Sequence, residues 1–149
     1  MQKIQFTRYQ PQFFDTCLQI FDSNIGDYFA LHERQDFIDF LNQLTDEDQY
    51  YVGLYDNQVV CSGGWGQKSD GCYLRWGMLD KGKHKLGLGR QLLEFRLNKI
   101  KSDCGDVDVL ITTSSAAQGF FRHYGFETME TTVNGIAEGL DQVEMRKRG

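Results

Sequence analysis

The 149-residue chain contains one proline, Pro11, and no Gly/Ser-rich or single-sign charge block, so nothing in it marks a linker. It has no Cys-x-x-Cys pair. Cys17, Cys61, Cys72 and Cys104 are scattered, and no His stands at metal-ligand spacing from any of them. That pattern excludes a zinc module and leaves reduced, buried thiols as the expectation. No stretch approaches the ~20 apolar residues of a membrane span, and the N-terminus lacks the apolar run of a signal peptide. Sixteen Lys+Arg against 21 Asp+Glu give a net charge of −5 without a basic cluster. This argues against a non-specific nucleic-acid binder and against a polybasic membrane surface. No repeat with the period of a solenoid is present. The expectation is one cytoplasmic domain over residues 1–149, with no metal, no nucleic acid and no membrane among its partners.

What is present suffices for a core: 40% of residues are hydrophobic and 13% aromatic. Ile4 to Tyr9 alternates as a half-buried strand does. Pro11 suits a first helical turn, and Phe14, Cys17, Leu18 and Phe21 mark one helix face. Phe37, Phe40, Leu41 and Leu44 mark a second. Strands are predicted at Tyr50 to Tyr55, Val59 to Trp65 and Cys72 to Leu79, joined by turns at Asp56-Asn57-Gln58 and Ser69-Asp70-Gly71. Leu86, Leu93, Leu97 and Ile100 stripe a third helix, and Val107 to Thr113 reads as a β-branched strand. Ser115-Ala116-Ala117-Gln118 fits a capping box opening a fourth helix, and Gly125-Phe126 fits a Schellman stop. Glu127 to Val133 and Asp141 to Lys147 close the chain as strands. The strand–helix–strand unit from Cys72 to Thr113 implies one parallel pair in a mixed sheet.

The stretch His84-Lys85-Leu86-Gly87-Leu88-Gly89-Arg90 falls between a strand and an amphipathic helix. Glycines there permit close backbone approach, and the first helical N–H groups suit a diphosphate. A P-loop is excluded: Gly82 and Gly87 have its spacing, but Leu88-Gly89 stands where Lys-Ser/Thr is needed. A dinucleotide fingerprint lacks its third glycine, since position 92 is Leu92. An acyl-CoA diphosphate loop and a tight turn that binds nothing both remain open on this stretch alone.

The loop resembles the Gln/Arg-x-x-Gly-x-Gly/Ala motif of the GNAT superfamily of N-acetyltransferases, with His84 at its first position. Downstream, Ser114-x-x-Ala117-x-x-Phe120-Phe121-x-x-x-Gly125-Phe126 resembles that superfamily's Asn-x-x-Ala-x-x-Leu-Tyr-x-x-x-Gly-Phe segment. Gly63-Gly64-Trp65, Leu74-x-Trp76-Gly77-Met78 and Gly139-Leu140-Asp141 resemble an uncharacterised subgroup. The resemblance implies an α/β (α+β type) fold: a mixed, mostly antiparallel six- to seven-stranded sheet, helices on both faces, and a splayed parallel strand pair. It implies acetyl-CoA as co-substrate, held by Lys85, Leu86, Gly87, Leu88, Gly89 and Arg90 at the diphosphate. Met78 and Leu79 would lie along the pantetheine, with Ser114, Ala117 and Phe121 nearby. Gly77 is expected at or near the bulge that opens the splay. The resemblance also allows a homodimer, since the last strands of this fold often pair between subunits.

The implied reaction is direct attack of an amine on the thioester. An alkyl amine of pKa near 10.4 is almost wholly protonated at neutral pH, and deprotonating it costs ~4.6 kcal/mol at pH 7. Glu33, beside Tyr28 and Phe29, is the candidate base or orienting group. The family's frequent general acid is a Tyr that falls at Phe121 here; Tyr124, one turn on, is the remaining phenol. That replacement keeps a second function class open, an acyl-CoA-binding sensor without turnover. Ser114 either bonds to the ligand or caps the helix. Cys61 and Cys72 lack an identifiable base and read as buried hydrophobes.

Overall fold

The computed structural model describes residues 3–149, with Lys85 and Leu86 described by their main chain alone. Seven strands form one sheet: β1 (Gln5–Arg8), β2 (Gln49–Tyr55), β3 (Gln58–Lys68), β4 (Gly71–Leu79), β5 (Val109–Ser114), β6 (Glu127–Ala137) and β7 (Leu140–Lys147). Their order across the sheet is β1-β2-β3-β4-β5-β7-β6, and every neighbouring pair is antiparallel except β4–β5. The helices are α1 (Phe14–Ser23), α2 (Arg34–Gln43), α3 (Leu88–Cys104) and α4 (Gln118–His123). No helix among the described residues is long and apolar enough to cross a membrane.

Local chemistry accounts for the joints. Pro11 opens a short 3-10 turn that leads into α1. Asp56 and Asn57 both adopt positive φ (52° and 62°), the paired left-handed geometry of a two-residue hairpin turn between Tyr55 and Gln58. Gly125, at φ 94°, ends α4: its N–H donates to the Arg122 carbonyl and the Phe126 N–H reaches back to Phe121. That is the Schellman pattern expected from Gly125-Phe126.

The predicted capping box does not form. Ser115 to Ala117 tighten into a 3-10 turn, so α4 starts at Gln118, and no side chain caps either start. Gln118 instead donates through Nε2 to Thr128 Oγ1 on β6 at 2.6 Å. The hydroxyl of Ser114 is likewise not a cap; it is buried without a partner.

Alternation distributes side chains to two cores. On one face, Trp65, Leu74, Ile111 and Val143 pack with Leu93 and Ile100 of α3 and Phe121 of α4. Cys61 and Leu79 extend this face toward Leu88 and Leu92. On the other face, Tyr50, Val52 and Met78 pack with Cys17, Phe21, Phe37 and Leu41 of α1 and α2.

Between β3 and β4 the register slips. Ser62 faces Met78 and Gly64 faces Arg75, so Trp76 and Gly77 together oppose Gly63. This is a β-bulge, and Trp76 takes φ 44° within it. β4 and β5 have by then already diverged. Their parallel pairing covers only Cys72–Val109 and Tyr73–Leu110, although β4 continues to Leu79 and β5 to Ser114. The glycine expected near the bulge is therefore part of it.

The bulge is braced from the α1/α2 face. The Tyr50 hydroxyl lies 2.8 Å from the Trp76 carbonyl and 2.9 Å from Ser62 Oγ. The Trp76 ring packs at 5.2 Å from Phe37 and 6.0 Å from Phe29. Tyr50→Phe removes the hydroxyl and leaves a buried carbonyl short of a partner. It should lower unfolding free energy by about 1–3 kcal/mol, read as a lower urea midpoint at unchanged slope. An unaltered midpoint would show that the bulge holds without this brace.

Candidate functional site

The splay opens the sheet to both faces. On the α3/α4 face lies a cavity of about 390 Å³ whose lining includes Met78, Leu79, Gly89, Arg96, Ile111, Ala117, Phe121 and Tyr124. On the α1/α2 face lies a cleft of about 720 Å³ whose lining includes Tyr28, Phe29, Glu33, Arg75, Trp76, Ser114 and Glu144. The two share Tyr28, Phe29, Gly77, Ile111 and Thr113. They therefore adjoin at the diverging strands.

The glycine segment forms in a way the spacing did not predict. Lys81–Leu86 is a 3-10 helix whose start is capped by Asp80, which accepts from the Gly82 N–H at 3.1 Å. His84 folds back so that Nε2 lies 2.9 Å from the Leu79 carbonyl, with its ring 5.4 Å from that of Tyr28. Gly87 at φ 72° then turns the chain into α3. No side chain caps that helix and its first turn holds no carboxylate, so no side chain offsets the partial positive charge of its leading N–H groups. A Cβ at Gly89 would meet only ordinary contacts, Phe120 at 3.7 Å being nearest. Gly89 thus tolerates a Cβ without a clash.

The expected site residues divide. Gly87, Gly89, Arg90, Met78, Leu79, Ala117, Phe121 and Tyr124 all line the smaller cavity. Leu88 is fully buried in the core, which leaves only its main chain for a ligand. The side chains of Lys85 and Leu86 lie outside the described residues. Arg90 pairs with Glu94 one turn along, and both are largely exposed. The carbonyl of Leu79 is already engaged, by Asn24 Nδ2 at 2.9 Å as well as by His84. Ser114 lines the larger cleft and is absent from the lining of the smaller one.

Glu33 lies on the larger cleft, with Oε1 accepting the Ala30 N–H at 2.9 Å. That bond caps the short turn before α2 and fixes the carboxylate's direction. Tyr124 stands beside Phe120, ring centres 5.1 Å apart, on the wall of the smaller cavity.

Two lining residues escaped sequence reasoning. Asn24 is buried, and its Oδ1 has no hydrogen-bond partner. Arg96 is 3% exposed, with Nε and Nη1 unpartnered. Each sits within a pattern that reads as ordinary helix or helix end, and only the fold turns it toward the cavity.

The cysteines are free. Burial pushes the Cys61 and Cys17 thiols up to about 12, and that of Cys72 up to about 11. A thiol so raised holds almost no thiolate at neutral pH, which argues against Cys17, Cys61 or Cys72 as the nucleophile of a covalent acyl-cysteine route. Among the described residues no group of three or more metal-ligating side chains gathers.

Comparison with known proteins agrees with this geometry. No curated protein matches the chain. Many solved structures are similar to it, among them the following three. The ribosomal-protein-S18-alanine N-acetyltransferase from Escherichia coli superposes with a TM-score of 0.77 at 13% identity, covering 97% of this chain and 93% of that one. An acetyltransferase of the GNAT family from Staphylococcus aureus gives 0.73 at 17% identity, covering 97% and 98%. A Bacillus anthracis protein solved in complex with acetyl coenzyme A gives 0.60 at 17% identity, covering 72% and 66%. At such identities the likeness is one of fold. The sequence model of the acetyltransferase (GNAT) domain, in contrast, matches residues 29–148, most of the chain. The chain belongs to the GNAT family of acetyltransferases.

Proposed function

We propose that this protein transfers an acetyl group from acetyl-CoA to a primary amine by direct attack, residues 1–149 acting as one catalytic domain. The observation that carries this reading is the pair of adjoining cavities on opposite faces of the splay. Such an arrangement lets donor and acceptor enter from different sides and meet at Gly77.

The residues of the smaller cavity fit the donor. The N–H groups at the start of α3 suit its diphosphate. Leu92, Ile111, Ala117 and Phe121 offer an apolar wall to its arm. Asn24 Oδ1, buried and unpartnered, can accept from an amide N–H. The β4 main chain beside the bulge supplies donors for the thioester oxygen, whose charge grows as the amine attacks.

The larger cleft fits the acceptor. Glu33 and Glu144 give it carboxylates that favour an incoming ammonium and can take its proton. Glu33 is the better oriented of the two, because its position is fixed by the Ala30 N–H. Tyr124 is the phenol on the donor side able to protonate the departing thiolate, in place of the absent hydroxyl at Phe121.

The primary test is calorimetric titration with acetyl-CoA. Wild type should bind saturably, and Gly89→Glu should weaken binding by about 100-fold or more, since the added carboxylate meets the diphosphate. A Cβ at Gly89 meets only ordinary van der Waals contacts, so the fold should survive the change. Equal affinity in a folded variant would sink the loop assignment. In a thiol-release assay against a panel of amines, Tyr124→Phe should lower kcat about tenfold with little change in KM. No change would leave water as the proton source. Glu33→Gln should lower kcat/KM about tenfold near pH 7 and recover toward wild type as pH rises and the amine loses its own proton. A deficit constant across pH would rule out its role as base.

A further inference from the structure

Arg96 occupies an unusual place. It lies mid-way along α3, almost wholly buried, against the two glycines that face each other across the bulge. A Cβ at Gly77 would come within 2.7 Å of its Nη1, and one at Gly63 within 3.4 Å of Cζ. The absence of two side chains therefore creates the space the guanidinium fills. Among the described residues no carboxylate forms an ion pair with it. Nε and Nη1 make no hydrogen bond.

Its titratable neighbours are Tyr50 and Cys61, and burial raises both, so neither brings negative charge at neutral pH. Burial lowers Arg96 itself only to about 10, and it stays protonated. A buried cation without an anion is costly, and the structure keeps one here, on the wall of the donor cavity.

A ligand in the adjoining cavity can supply the counter-charge. The donor's diphosphate is too far away: Arg96 stands seven residues beyond Gly89, about 10 Å along the helix from the loop. The pantetheine arm is uncharged. The end of the donor nearest the bulge is the acyl group.

We propose that the acyl donor this protein prefers carries a carboxylate at its far end, as a malonyl or succinyl thioester does, and that Arg96 receives that carboxylate. The proposal rests on the donor-site reading above. The reaction keeps the same balance. The amine nitrogen bonds to the acyl carbon and the C–S bond breaks. Sulfur leaves with the electron pair and takes up the proton lost by the amine. The distal carboxylate is unchanged and remains on the product.

Calorimetric titration with acetyl-, butyryl-, malonyl- and succinyl-CoA tests this, using wild type, Arg96→Met and Arg96→Lys. Butyryl-CoA controls for chain length without charge. Wild type should bind a carboxylated thioester at least about tenfold more tightly than either neutral one. Arg96→Met should erase that gap between carboxylated and neutral thioesters, and Arg96→Lys should retain part of it. A wild type without preference for the carboxylated donors would overturn the proposal, as would a preference that persists in Arg96→Met. Should Arg96→Met fail to show a cooperative thermal transition, the wild-type comparison decides alone. Binding of none of the four would overturn the donor-site reading and this proposal together; binding of acetyl-CoA without a carboxylate preference overturns only the latter.

Discussion

The site depends on a single irregularity in a ladder of main-chain hydrogen bonds. A parallel β4–β5 pair that zipped along its whole length would close the sheet and leave no passage between its faces. Pairing stops after Tyr73 and Leu110. Past that point β4 stays bonded to β3, but with two residues where β3 has one. The extra residue re-aims the strand. Trp76 accepts a left-handed φ to do so, a conformation that strains a large aromatic residue. The strain persists because the surroundings hold it from both sides: Tyr50 on the Trp76 carbonyl, an aromatic cluster on the Trp76 ring, and Arg96 filling the space at Gly63 and Gly77.

This arrangement divides labour between the two faces. The α3/α4 side combines helical N–H groups that no side chain caps with an apolar wall. The α1/α2 side mixes carboxylates, Arg75 and aromatic rings. The three fully buried thiols are protonated at neutral pH.

Much of the fold was legible because its elements follow local rules. Alternation and helical spacing placed all seven strands and all four helices in order, with ends displaced by one to several residues. The longest displacement is in β6, which runs on to Ala137 through bulges that period-two reading does not anticipate. The helix stop at Gly125 was legible because a left-handed C-cap and a following apolar residue are both written in the sequence. The Ser115–Gln118 box failed for the opposite reason. Its residue types permit a cap, but Gln118 found a partner on β6, a strand distant in sequence. The cap reading of Ser114 failed similarly: its hydroxyl is buried at the end of β5, on the lining of the larger cleft.

By itself the sequence determined the element order, the glycine segment before α3 and the presence of a glycine where the sheet opens. These depend on backbone dihedral preferences and on the period of apolar residues, which act over a few positions. Tertiary structure decided which side chains share a cavity. Asn24, Gly77, Arg96 and Tyr124 come from four separate elements or element ends and meet only when the sheet forms. Tertiary structure also decided that Arg96, on a helix whose charged residues otherwise read as a solvated face, is buried against two glycines without a counter-ion. The reason is physical: burial and charge compensation depend on what surrounds a side chain in space, and a local pattern specifies only which way it points.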